Sequence, residues 1–466
     1  SPFPPLSLRQ AMPIMNTINP VYAARRRHLA RQMQQNGGGV AVLFSGQEIM
    51  RNRDSDYPFR WDSYFYYLTG FPEPEAALVI IANGDEPRSI LFCREKNEER
   101  ETWDGFRYGP QAAAEQFGFD AAATVGELDA VIVQELADQP AIYSALGDNA
   151  DTDERLRQWL GQVRALGRAG VTAPGAVHDV HRLLDEMRLV KDEHELNVMR
   201  KAAVISAQAH IRAMQTSRPG LHEYAIEAEL LHEFRRQGSQ FPAYGSIVAS
   251  GANACVLHYR ANDALMREND LLLIDAGCEL DGYASDITRT FPVNGRFTSG
   301  QRELYEIVLA AQHAAIAATR AGNHFNQPHE AALKILVQGM LDTGLLTGTL
   351  DEAIESGSYR RFYMHRTGHW LGMDVHDCGD YRERTTDSAT AGNGAEPPWR
   401  VLRPGMVTTV EPGIYVRAAN DIPERFHDVG IRIEDDAVVT ADGCEIITSD
   451  VPTDPDAIEK LMQTRA

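Results

Sequence analysis

Residues 271–291 read LLLIDAGCELDGYASDITRTF, and the interpretation of this stretch decides the fold. An apolar strand ends in Asp275, Asp281-Gly282 supplies a hairpin turn, and a second strand carries Asp286. With Asp281 and Gly282 as the central turn residues, Leu280 faces Tyr283 and Gly277 faces Asp286. Asp275 lies two positions along on the face of Gly277, so Asp275 and Asp286 become diagonal neighbours. Two carboxylates held this way among apolar neighbours repel each other unless they share a proton or bind a cation, and a metal is the simpler answer.

Three further stretches carry residues of the same kind. In VTTVEPGIYV (407–416), Glu411 interrupts a β-branched strand just before a Pro-Gly turn. A carboxylate without a partner is costly there. In GIRIEDDAVVT (430–440), strand alternation puts Arg432 and Glu434 on one face and turns Ile431 and Ile433 toward a core. YMHRTGHWLGMDVHD (363–377) holds His365, His369 and His376; the first two are four apart and would share one face of a helix. Arg366 stands where an HExxH zinc motif has its glutamate, which disfavours a helical zinc protease. Four carboxylates and a histidine form a hard, oxygen-rich donor set suited to Mn²⁺ and similar ions, and their charge balances two divalent cations.

Working outward, 466 residues exceed what one core organises, so two domains are expected. Helical RRRHLARQMQQ (25–35) and strand-like AVLFSG, ALVIIA, SILFCR and AIYSALG alternate as in an α/β domain. From Asp179 to about Met214 a long helical pattern follows, then helices near 222–237, 301–319 and 328–343 among antiparallel strands. The expected organisation is a Pro-rich N-terminal tail over residues 1–20, a smaller α/β domain over 21–174 and an α+β catalytic domain over 175–466. Residues 384–399 (RTTDSATAGNGAEPPW) are expected to be an exposed loop.

The net charge of −21 opposes binding to nucleic acid or anionic membrane surfaces, and no apolar run approaches a membrane span. Five scattered cysteines without a CxxC pair indicate neither a disulfide framework nor a thiolate zinc site. Absence of a secretory pattern in the N-terminal residues completes the expectation of a cytoplasmic location.

Taken together, DAGCELDGYASDITRTFPV, HWLGMDVHD and VEPGIYV resemble the pita-bread metallopeptidases, and among them the Xaa-Pro aminopeptidases (aminopeptidase P). The segments 54–76 and ETWDGFR (101–107) also resemble aminopeptidase P. The resemblance implies a pita-bread catalytic domain with Asp275, Asp286, His369, Glu411 and Glu434 as ligands of two divalent metals, most simply Mn²⁺. It implies His258, His365 and His376 as substrate-contacting or proton-handling groups, Tyr415 and Arg432 in support, and Asp54 and Trp103 either near a site, such as a neighbouring subunit's, or in packing. The implied activity is removal of the N-terminal residue from peptides with proline second, by a hydroxide bridging the metals. Asp286 and Glu434 would bridge them, Glu411 would carry the proton and His376 would stabilise the oxyanion. A homodimer or homotetramer acting on peptides is also implied. The nearest alternative is a prolidase restricted to Xaa-Pro dipeptides; a binding module and a metal-free creatinase-like hydrolase both conflict with the intact ligand set. This chain departs from many relatives at Arg366, where they have glycine.

Overall fold

The computed structural model describes residues 20–84, 86–383 and 396–464. The expected tail, save Pro20, and residues 384–395 of the expected loop lie outside these. Two compact units are present, Ser1–Leu184 and Asp185–Ala466.

In the first unit, six strands form one mixed sheet in the order Ala121–Thr124, Arg88–Cys93, Ala77–Ala82, Gly39–Phe44, Ala141–Ser144, Ala176–Asp179. Ala77–Ala82 is buried along its whole length, and Gly39–Phe44 nearly so. That is why they read as unbroken apolar runs rather than as alternating ones. Helices Leu128–Leu136 and Ala150–Ala165 cover the sheet through Leu128, Ile132, Leu156 and Trp159. The unit continues ten residues past the expected boundary at residue 174. Ala173-Pro174-Gly175 leads into an edge strand, Ala176–Asp179, that pairs in parallel with Ala141–Ser144.

The second unit is α+β with antiparallel strand pairs, as expected. The helical pattern after Asp179 divides into His181–Leu189 and Glu193–Thr216. The break falls where Val190 bridges Met406 and Asp192 caps the second helix in a capping box with Glu195. Helices Glu223–Arg236, Ser299–Ala318 and Gln327–Asp342 join it around one large core containing Ile274, Ile287, Phe291, Ile431 and Ile433.

The hairpin has the expected register. Leu280 faces Tyr283, and Asp275 faces Thr288. Asp281 and Gly282 both have positive φ, 48° and 84°, the signature of a tight primed turn. Between these pairings a Cβ on Gly277 would come 1.7 Å from the Ser285 carbonyl oxygen, so only glycine lets the two strands approach.

Candidate metal centre and active site

Strand ends of the second unit deliver the acidic residues to one cavity. Asp275 ends the strand Leu271–Asp275, and Asp286 precedes Thr288–Pro292. Glu411 follows Val407–Val410, and Glu434 lies between Val429–Arg432 and Asp435–Val439, bridged to Thr288. Residues 363–376 contain no helix, so the conditional helical reading of His365 and His369 does not apply. His369 is instead fixed beside Glu411 by main-chain pairing: the Thr409 N–H donates to the His369 carbonyl at 2.9 Å, and Trp370 bridges Thr408.

The cavity, of about 550 Å³, is lined by Asp275, Asp286, His369, Glu411 and Glu434 together with His258, His365, His376 and Arg432. Ligand atoms of Asp286, His369 and Glu434 all lie within 4.8 Å of one another. His369 Nε2 is 3.6 Å from Asp286 Oδ2 and 3.6 Å from Glu411 Oε1. His369 Nδ1 donates to the Trp370 carbonyl at 2.9 Å, which leaves Nε2 as the atom aimed at the carboxylates. The ring of His376 lies 4.2 Å from that of His369, tilted by 52°.

Hydrogen bonds fix the wall of the cavity. Arg432 Nη2 donates to Asp275 Oδ2 at 2.7 Å and Nη1 donates to Tyr415 Oη at 3.0 Å. Arginine only donates, so Tyr415 turns its own proton to His365 Nε2 at 2.7 Å, and His365 Nδ1–H donates to the Arg366 carbonyl at 2.7 Å. Glu434 accepts from Thr288 Oγ1 at 2.5 Å. Tyr244, absent from the sequence reading, places its hydroxyl 2.6 Å from Asp275 Oδ1 and 2.5 Å from Asp286 Oδ1, so that its single proton serves two carboxylates. It lies 31 and 42 residues from them in an unremarkable FPAYGS segment, and no sequence signal marked it. Asp436, also unassigned, accepts the Asp286 N–H at 3.0 Å.

The electrostatics are those of a crowded anionic site. Burial, with repulsion from Asp275, holds the Asp286 carboxyl above its ordinary value. Burial and the charges of Asp286 and Glu411 push Glu434 well above its own. Glu411 is raised to about 7, by burial first and by the Asp286 and Asp275 charges, against the pull of His369 and Arg432. For His369 burial works the other way, but Asp286 and Glu411 outweigh it and raise the imidazole to about 9. His365 is held near 4 by burial and Arg432, so its ring is neutral at neutral pH. Buried carboxylates that resist ionisation, a histidine nitrogen turned into their midst and a mainly oxygen donor set fit divalent cations.

Asp54 and Trp103 belong to the first unit and do not line this cavity. Asp54 sits exposed at a turn with φ of 61°, and Trp103 is 81% exposed on the helix Glu98–Asp104, which removes the packing alternative for Trp103 within its own unit.

Comparison with known proteins agrees with this geometry. The pattern described as metallopeptidase family M24 matches residues 197–441, and that of the aminopeptidase P N-terminal domain matches residues 22–143. The chain is 43% identical over 442 residues to the Xaa-Pro aminopeptidase of Escherichia coli, covering 95% of this chain and 97% of that one. An aminopeptidase structure from Pseudomonas aeruginosa superposes with a TM-score of 0.90 at 48% identity, over 95% of this chain and 97% of that one. Zinc-substituted aminopeptidase P of Escherichia coli in complex with product gives 0.89 at 42% identity, over 95% and 98%. The chain therefore belongs to metallopeptidase family M24, as an aminopeptidase P-type member with the aminopeptidase P N-terminal domain ahead of its pita-bread catalytic domain.

Proposed function

We propose that this chain is a divalent-metal aminopeptidase that releases the N-terminal residue from peptides with proline in second position. The observation that carries the reading is the convergence of Asp275, Asp286, His369, Glu411 and Glu434 on one cavity in a chain of this family. Asp286, Glu434 and His369 would hold metal at the centre of the group, with Asp275 and Glu411 completing two sites. The oxygen-rich donors favour Mn²⁺. Bound there, the ions would acidify a water molecule and polarise the scissile carbonyl.

The remaining work falls to side chains. Glu411 takes the proton of the attacking water and delivers it to the leaving proline nitrogen. His376, beside His369 in the cavity lining, donates to the developing oxyanion, and His258 contacts the substrate from the same lining. Both His365 nitrogens are engaged, so this ring contacts the substrate and orients Tyr415 rather than carrying protons. Asp275 faces the substrate amino group. Ile247, Leu257 and Val375 give the cavity apolar surface for the proline ring, whose imide nitrogen has no N–H to offer a general peptidase.

The test is hydrolysis of an Xaa-Pro-Yaa tripeptide by chelator-stripped protein with and without Mn²⁺, beside the Xaa-Pro dipeptide. Metal-dependent cleavage of the tripeptide supports the reading. Cleavage of the dipeptide alone would make the chain a prolidase, and inactivity with every divalent ion would leave a binding role.

The same reading extends to assembly and location. No helix among the described residues is long and apolar enough to cross a membrane, and the cysteines are free, which suits a cytoplasmic enzyme. Trp103 and Phe106, 81% and 57% exposed, suit burial against another subunit of a homodimer or homotetramer, with Trp103 and Asp54 near a neighbour's site. Light scattering on the purified protein tests the assembly; a monomer at micromolar concentration would remove it.

A further inference from the structure

Besides Arg432, which is paired with Asp275, two further arginines share the cavity with the carboxylates. Arg260 and Arg366 both line it, both are exposed, and among the described residues neither forms an ion pair. Arg366 is not free to swing away. Its Nη2 donates to the Asn326 side-chain oxygen, and its guanidinium stacks 4.7 Å from the centre of the Trp399 ring, which Arg382 covers at 3.5 Å. A cation held by a neutral amide and an aromatic face keeps its charge available. It is unusual to find two such cations in a chain of net charge −21, on the cavity that also gathers four carboxylates.

A short peptide carries the complementary polarity, with an ammonium at the end being cut and a carboxylate at the other. Resting on the aminopeptidase reading, we propose that Arg260 and Arg366 form a cationic rim that selects substrates with a carboxylate on the leaving peptide, beyond the proline. The carboxylate can be the free C-terminus of an Xaa-Pro-Yaa tripeptide or an acidic side chain at Yaa; both present the same group to a guanidinium. Screening by water and salt keeps each contact modest, so the rim sets preference among substrates and leaves the bond-breaking step unchanged.

The experiment compares kcat/KM for Ala-Pro-Ala with a free C-terminus, the same peptide amidated, and amidated Ala-Pro-Glu, using the Mn²⁺-loaded enzyme and the variants Arg366→Gln, Arg260→Gln and their combination. The wild type is expected to favour either carboxylate-bearing peptide over amidated Ala-Pro-Ala by about fivefold. That ratio should approach one in the double variant, while turnover of amidated Ala-Pro-Ala stays at the wild-type level and so reports an intact site. If only the free C-terminus is favoured, the terminal carboxylate is the group recognised; if only the glutamate peptide is, the side chain is. Raising the salt concentration with the wild type should shrink the preference without any substitution. An unchanged ratio in the double variant, or one insensitive to salt, overturns the rim and leaves the aminopeptidase reading standing; failure of the wild type to cleave any of the three peptides overturns both.

Discussion

Glu411 stands 3.6 Å from His369 and 4.0 Å from His365, and burial with the neighbouring carboxylates lifts it to about 7. Replacing it by glutamine keeps the shape and removes both a ligand charge and the proposed proton carrier. Glu411→Gln is expected to lower kcat by at least about a thousandfold, measured with a saturating Xaa-Pro-Yaa substrate and Mn²⁺. A loss of less than tenfold would take the proton-transfer role away from this residue. Arg432 is 4% exposed and joins Asp275 to Tyr415, and through Tyr415 to His365. Arg432→Met strips that charge from buried partners. The variant should lose about 3–5 kcal/mol of stability in a urea titration and turn over substrate more slowly. A wild-type urea midpoint would mean that the cavity tolerates Asp275 and Tyr415 without it.

At the scale of elements, the site is an arrangement of strand ends held by main-chain register. Gly277 is the point where the hairpin allows its two strands to close, with the Ser285 carbonyl oxygen where a Cβ would sit. Gly277→Ala must push Asp286 away from Asp275, the two carboxylates that the Tyr244 hydroxyl now joins. A loss of at least about 2 kcal/mol is expected, together with weaker Mn²⁺ binding by titration calorimetry. Wild-type metal affinity in that variant would show that hairpin register does not set the spacing of the two acids. Much of this level was legible in advance. The Asp-Gly turn and strand alternation are short-range and placed Asp275, Asp286, Arg432 and Glu434 on their faces. The histidine segment was less so: HxxxH spacing suits a helix face, but cross-strand contacts with Thr408 and Thr409 hold His369 in extended chain.

For the whole molecule, the crowding of buried anions makes stability depend on pH and on metal together. In metal-stripped protein, Glu411 is raised from an ordinary 4.5 to about 7 and His369 from 6.5 to about 9. Both groups bind their proton more tightly folded than unfolded. Their stabilising contributions are therefore complete below about pH 4.5, fade as pH rises through about 7 for Glu411 and are gone above about 9 once His369 has followed. The buried neutral His365, held near 4, works in the opposite direction below about pH 6.5, so the melting temperature of stripped protein should fall from pH 7 to pH 9, and Mn²⁺ should restore more of it at the alkaline end, where fewer protons compete for the ligands. A flat profile for stripped protein would mean that the carboxylates find other compensation. By itself, the sequence determined the α+β class of the catalytic domain and the α/β domain before it, and turn chemistry and strand alternation marked Asp275, Asp286, Glu411, Arg432 and Glu434 beside a group of three histidines, whereas the choice of His369 as a ligand and the inclusion of His258 came from the family resemblance. Only the tertiary structure decided that Tyr244 spans the two aspartates, that Tyr415 locks His365 into one tautomer, that Asp436 receives the Asp286 N–H, and that Arg260 and Arg366 reach the same cavity. Those contacts join segments from tens of residues to 150 residues apart, and folding brings them together through a shared core that leaves no mark on the local sequence of either partner.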